Sequence, residues 1–164
     1  MVDDTCSLKE ALRNWLSGAH KIVIAGIGNP IRMDDYVGVK IVQDLRGRVS
    51  DRVMLIECET VPESFTQEIV EFRPTHVLLI DAAVLGSKPG QCKLVSPEQL
   101  GGFSAFSTHM LPLRVFCEYI ATTVKAKLAL LLVEPAETEF GEGLSREVSS
   151  SSKALAEVLV RLLH

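Results

Sequence analysis

The sequence alternates continuous apolar runs with segments of helical periodicity, and this alternation constrains the fold more than any other feature. Strands that are apolar along their whole length are typical of parallel sheets covered on both faces. We therefore predict an α/β fold: a three-layer sandwich of a twisted, mostly parallel five-stranded sheet, with room for one antiparallel edge strand, and helices on both faces. In sequence order the predicted strands are KIVIAGIG, VMLIEC, THVLLIDAAV, GQCKLVS (a polar edge strand) and AKLALLLVEP.

The segments between these strands repeat apolar residues at helical spacing. The first of them, SLKEALRNWL, has Ser7 and Glu10 at capping-box spacing, so we expect a helix to begin there. A length of 164 residues fits a single domain. We divide it into an N-terminal helical extension over residues 1–20 and a main domain over residues 21–164.

Composition excludes several classes of protein. Apolar residues make up 47% of the chain, which argues against disorder. The net charge is −4, from 17 basic and 21 acidic residues, which disfavours nucleic-acid binding. The four cysteines are far apart and form no CxxC pair, as expected for reduced cytoplasmic thiols. The run LALLLV is too short to span a membrane. We expect a cytoplasmic protein without membrane insertion.

Carboxylates follow the ends of the predicted strands. In parallel sheets, functional groups gather beyond the carboxyl ends of the strands. Crowded carboxylates raise each other's pKa, and a bound cation relieves their repulsion. The residues concerned are Asp34, Asp35, Glu57, Glu59, Asp81 and Glu134.

The stretch AGIGNPIRMDDYVGV first suggests a phosphate-binding loop. A dinucleotide fingerprint needs G-x-G-x-x-G. Gly26 and Gly28 fit this motif, but position 31 is isoleucine, and the two aspartates that follow would repel a pyrophosphate. GIGNP also resembles the opening of peptidyl-tRNA hydrolases. That family carries a His–Asn pair where this chain has two aspartates, and no basic tract for tRNA is present.

A carboxylate–histidine site is the remaining interpretation. Asp35 begins a predicted helix, Asp81 ends the third predicted strand, and His109 lies in FSTHMLPL before a later helix. Two carboxylates and an imidazole suit a borderline transition metal with open positions, and such a metal can activate water. For each of these residues the alternative is a purely structural role. An aspartate can cap a helix or bind loop amides, as we consider for Asp34, and a lone histidine is often structural.

Four motifs together resemble the [NiFe]-hydrogenase maturation endopeptidases in order and spacing. They are GIGNPIRMDDYVGV, LLIDAA, FSTHMLPL and GEGLSREV, and the resemblance runs from about Lys21 to the C-terminus. The aspartate at position 35 and the STHMLPL segment look most like the branch that processes hydrogenase-3-type large subunits.

The resemblance implies an aspartic-type endopeptidase with a protease domain over residues 21–164. It would remove the C-terminal extension of the hydrogenase large-subunit precursor after nickel insertion. Carried over by motif, Asp35, Asp81 and His109 would contact nickel, which the substrate supplies and the free enzyme does not hold tightly. Two alternatives stay open: a peptidyl-tRNA hydrolase-like hydrolase and a non-catalytic nickel-binding maturation factor. We expect a monomer. The loop EPAETEFGEGLS either borders the substrate cleft or covers the sheet edge.

Overall fold

The computed structural model describes residues 2–102 and 110–164, with side chains described for residues 6–100 and 113–164. Over these ranges the chain forms five strands and five α-helices. The strands are β1 (Ile22–Ile27), β2 (Val53–Glu59), β3 (His76–Ala82), β4 (Cys92–Val95) and β5 (Lys127–Val133). The helices are α1 (Val2–Trp15), α2 (Val37–Leu45), α3 (Thr66–Phe72), α4 (Met110–Val124) and α5 (Arg146–Leu163).

The strands form one sheet in the order β2-β1-β3-β5-β4. β1, β2, β3 and β5 pair in parallel, whereas β4 pairs antiparallel with β5 at the edge. β3 lies between β1 and β5 and is buried along its whole length. The predicted fold class is confirmed, including the polar edge strand and its antiparallel direction.

Helices cover both faces of the sheet. On one face, Val77 and Leu79 of β3 belong to a core that includes α3 and α4. On the other face, Leu78 and Ile80 belong to a second core that includes α2, α5 and Leu12 of α1. The alternation along β3 therefore points successive side chains into two separate cores, which is the arrangement of a three-layer sandwich.

The first helix begins earlier than its capping-box signature predicts. α1 starts at Val2, so Ser7 lies inside the helix and its interpretation as a cap is wrong. Serine and glutamate three residues apart also fit on one face of a continuing helix, so the motif alone does not mark a start.

The helix predicted after the first strand is divided in two. A 3-10 turn over Met33–Tyr36 precedes α2, and a similar turn over Pro62–Phe65 precedes α3. Each 3-10 turn lies just beyond the carboxyl end of a strand and sets the position of the helix that follows. No helix in the described part of the chain is long and apolar enough to cross a membrane.

Candidate functional site

The carboxyl ends of four strands define the candidate site. β1, β2, β3 and β5 run in parallel, so their carboxyl ends and the loops that follow them share one edge of the sheet. We call this the carboxyl edge. The loop after β1 carries Asp34 and Asp35, and β3 reaches the same edge through Asp81.

Close backbone approach fixes the geometry of the loop after β1. A Cβ atom added to Gly28 would lie 1.9 Å from the carbonyl oxygen of Asp35. A Cβ atom added to Gly38 would lie 2.1 Å from the carbonyl oxygen of Ile80, and one added to Gly26 would lie 2.3 Å from that of Gly38. The start of α2 therefore rests directly on β1 and β3, and side chains at these positions would push it away.

Asp34 fastens two distant loops together. Its carboxylate is fully buried and accepts hydrogen bonds from the backbone N–H groups of Ala136 (2.9 Å), Glu137 (3.0 Å) and Ser145 (2.7 Å). The Ser145 hydroxyl donates a fourth bond at 2.8 Å. Asp34 is therefore a structural residue, although it holds the loop after β5 and the start of α5 rather than capping its own helix.

Asp35 is held in a different way from its neighbour. It is half-buried, and its Oδ2 atom accepts a 3.0 Å hydrogen bond from the N–H of Asn29. The Asn29 side chain in turn accepts a 3.1 Å bond from the N–H of Ile31. This Asx-type turn shapes the loop, and the Asn29 N–H orients the Asp35 carboxylate at the carboxyl edge.

Asp81 lies at the end of β3 and is fully buried. Residue 80 pairs with Gly26 of β1, and Asp81 itself pairs with Leu132 of β5. The Gly28 and Asn29 contacts place Asp35 over the end of β1, which is the strand beside β3. The structure therefore brings the two predicted acids to adjacent strand ends. A fully buried carboxylate in an otherwise apolar strand is costly for stability, and such groups concentrate at functional sites.

His109 lies outside the described residues, so its place in the site stays a prediction. Helix α4, which starts at the next residue, contacts the Pro62–Phe65 turn at the carboxyl edge. Among the residues that the structure describes, no three His, Cys, Asp or Glu side chains form a group able to hold a metal ion.

Similarity to known proteins identifies the family of this chain. Residues 39–162 match the sequence profile of the hydrogenase maturation proteases. A Methanocaldococcus jannaschii relative with hydrogenase maturation protease in its name is 32% identical, over 95% of this chain and 96% of its own length. The crystal structure of a [NiFe] hydrogenase maturation protease from Thermococcus kodakarensis superposes with a TM-score of 0.85 and 32% identity, over 93% of this chain and 98% of that one.

The chain belongs to the hydrogenase maturation protease family.

A more distant relative extends the comparison. The Escherichia coli hydrogenase 3 maturation protease is 24% identical over 69% of this chain and 72% of its own length. A crystal structure bearing that protein's name has a TM-score of 0.74 at 20% identity, over 84% of this chain and 87% of that one. This second likeness supports the fold alone.

Two of the other acids predicted at the edge, Glu57 and Glu134, have local partners in this maturation protease. Glu57 accepts hydrogen bonds from Arg46 at 2.9 and 2.7 Å and from Gln43 at 3.2 Å. Burial acts to raise the pKa of Glu57, but these bonds and the Arg46 charge outweigh it and lower the pKa. Glu134 is buried, and its carboxylate accepts bonds from the Leu85 N–H and the Ser87 hydroxyl. Shared cation binding is thus not needed to relieve the charge of either residue.

The loop after β5 lies against the acid-bearing loop. Gly141 and Arg32 form a parallel bridge, and the Asp34 bonds hold both ends of the segment 136–145. Of the two roles considered for EPAETEFGEGLS, these contacts favour a border of the substrate cleft over a cover of the sheet edge, because they hold the segment beside the loop that carries Asp35.

Two positions with structural roles at the site were missed in the sequence. Gly38 lies within a helix, where glycine is unfavourable by roughly 1 kcal/mol. A glycine at such a position was the sequence signal for a close backbone contact. Ser145 occupies the N-cap position of α5 but gives its hydroxyl to Asp34 instead of to the helix. Nothing in the local sequence indicates a partner 111 positions away.

Proposed function

We propose that this chain is an endopeptidase that removes the C-terminal extension of a [NiFe]-hydrogenase large-subunit precursor once nickel has been inserted. One observation carries the proposal. In a chain of the maturation protease family, the loop after β1 presents Asp35 beside the strand end that holds Asp81.

Asp35, Asp81 and His109 are the residues that would contact the nickel ion of the precursor. Nickel is then part of the substrate, and a Lewis acid held there would polarise the scissile carbonyl or its attacking water. Asp35 is oriented by the Asn29 N–H, and Asp81 is withheld from bulk water by complete burial. Carboxylates that are fixed in place position a charged group more strongly than mobile, solvated ones.

Proton transfer falls to a carboxylate of this pair in the aspartic-type mechanism we propose. The carboxylate takes a proton from the attacking water as the new C–O bond forms at the scissile carbonyl. The same proton then passes to the leaving nitrogen as the C–N bond breaks. The products are the mature large subunit and a short peptide, so atoms and charges balance without a further reactant.

The decisive experiment mixes the pure chain with a nickel-loaded large-subunit precursor and measures the loss of mass at the precursor's C-terminus. A nickel-free precursor is the control, and we expect cleavage of the loaded form alone. Stable nickel binding by the free chain without cleavage would favour the non-catalytic nickel-binding factor. Release of tRNA from peptidyl-tRNA would favour the other alternative.

Substitutions at the three residues test their assignment. Asp35→Asn, Asp81→Asn and His109→Ala should each reduce cleavage by roughly 100-fold or more, the usual contribution of general acid–base groups. Asparagine at position 35 can still accept the Asn29 bond, so the thermal midpoint should stay near that of the wild type. Asp51→Asn, at an exposed aspartate just before β2, is the matched control. Full cleavage by Asp81→Asn would refute the assignment.

We place this reaction in the cytoplasm and propose that the chain acts as a monomer. Gel filtration measures the oligomeric state of the chain, both alone and in a mixture with the precursor.

A further inference from the structure

Exposed apolar side chains surround the carboxyl edge. Each lies in a loop that follows the carboxyl end of a different parallel strand, and they are Ile31, Val61, Val84 and Phe140. Exposed apolar groups gathered around a single functional edge are a common mark of a protein-binding surface. Phe140 stands out because 80% of its surface is exposed, which is unusual for so large an aromatic side chain.

Ile31 and Phe140 lie on two neighbouring segments that hydrogen bonds join, and we call this surface the Ile31–Phe140 patch. The N–H of Gly141 donates to the Ile31 carbonyl at 3.0 Å, and the N–H of Met33 donates to the Gly141 carbonyl at 3.1 Å. The Arg32 side chain donates to the Thr138 carbonyl at 3.1 Å, with its guanidinium 6.0 Å from the centre of the Phe140 ring. These contacts hold the two segments side by side, so the apolar patch is organised before anything binds.

The charge beside this patch is negative. Glu137, Glu139 and Glu142 flank Phe140 on an exposed loop. Arg32 lies at the same patch, with its guanidinium over the phenyl ring, and the three glutamates outnumber this one positive charge. A partner that buries the patch therefore gains from its own lysine or arginine side chains.

We propose that the Ile31–Phe140 patch is a docking site for the large-subunit precursor, at an apolar surface segment flanked by basic residues. This inference rests on the proposed function and adds a contact made away from the scissile bond. Because Ile31 lies four residues before Asp35 on the same ordered loop, a precursor seated on the patch is brought close to the acid pair. Buried aromatic anchors of this kind dominate the free energy of many protein interfaces.

The test measures kcat and KM for cleavage of the nickel-loaded precursor. Phe140→Ala should raise KM roughly tenfold and leave kcat within about twofold, because the patch does not touch the reacting atoms. Phe140→Leu, which keeps an apolar anchor, should recover most of the loss. Tyr119→Ala removes an aromatic that is 54% exposed on α4 and is the matched control, with an unchanged KM. Glu139→Gln with Glu142→Gln should raise KM a few-fold at low salt and flatten its salt dependence.

A binding arm separates failure of the docking site from failure of the proposed function. It measures the affinity of the wild type and of Phe140→Ala for the nickel-free precursor. Cleavage by the wild type with equal KM for Phe140→Ala overturns the docking site and leaves the function standing. If the wild type does not cleave, the function fails. Tighter precursor binding by the wild type than by Phe140→Ala then still supports the patch, and equal or absent binding overturns it.

Discussion

The two ends of the parallel strands are built for opposite purposes. At the amino edge, where β1, β3 and β5 begin, Thr75 and His76 contact neighbouring segments of the chain. The Thr75 hydroxyl accepts from the His20 N–H and donates to the Lys21 carbonyl. The Trp15 ring packs edge-on against the His76 ring, with 5.0 Å between ring centres. At the carboxyl edge, Asp35 is half-buried and Phe140 is exposed to solvent.

Backbone conformation shows the same division. Arg73 and Lys125 have positive φ angles of 54° and 56°, and both simply follow the end of a helix at the amino edge. Met33 and Glu59 have φ angles of 44° and 52° at the carboxyl edge, where no helix ends. Strained residues of this second kind gather at functional sites. This chain therefore uses one edge to close its core and the other to position the loop that carries Asp34 and Asp35.

Gly38→Ala should produce the largest loss of stability, because it attacks the contact that seats the carboxyl-edge loop. The new methyl group would lie 2.1 Å from the backbone oxygen of Ile80, which cannot move without disturbing β3. We expect the free energy of unfolding to fall by about 4 kcal/mol, measured by urea denaturation. Gly47→Ala is the control, since its methyl group would meet open space and only its φ of 72° costs stability. Equal losses in the two variants would contradict this account of the seat.

Asp34→Ala should cause the next largest loss of stability. It distinguishes the role of Asp34 from that of the adjacent Asp35. It would leave three backbone N–H groups without their acceptor, so we expect a loss of about 3 kcal/mol. Asp35→Asn should leave the unfolding free energy nearly unchanged while reducing cleavage by roughly 100-fold or more. Thermal unfolding and the cleavage assay, run on both variants, measure the contrast. A stable Asp34→Ala protein would show that these loops are held by other contacts.

The smallest effect concerns the amino edge and depends on pH. Burial, together with the nearby charge of Lys127, lowers the pKa of His76 below its ordinary value of about 6.5. The unfolded chain therefore takes up this proton more readily than the folded chain. Stability from His76 is complete above pH 6.5 and is lost as the pH falls toward the lowered pKa. His76→Gln should show a shallower decline than the wild type between pH 7 and pH 5, by urea midpoints. Parallel pH profiles for the two proteins would exclude His76 as the cause.

The strands and helices of the fold could be predicted because the burial of a strand determines the pattern of apolar residues in its sequence. β3 is buried throughout and β5 is buried after its first residue, and each contains a continuous apolar run. The more polar sequence of β4 predicted its place at the edge. The acids at strand ends were also readable, since parallel strands bring their carboxyl ends together.

The division of labour between Asp34 and Asp35 was only partly readable. Family resemblance singled out Asp35 as the predicted nickel contact, but the bonds of Asp34 run to residues 136–145 and depend on three-dimensional contact. The same holds for Gly38 in α2, where the backbone of Ile80 in β3 leaves no room for a side chain. The role of His109 stays a prediction from its motif.

The bond between Asp34 and Ser145 also has a consequence for how the protein is made. Its two ends are 111 positions apart, so the loop that carries Asp35 lacks its fastening until most of the chain has left the ribosome. Chains emerge N-terminal end first, and β1 and α2 are made long before α5. A nascent chain therefore carries Asp34 and Asp35 well before Ser145 is available to hold their loop in place.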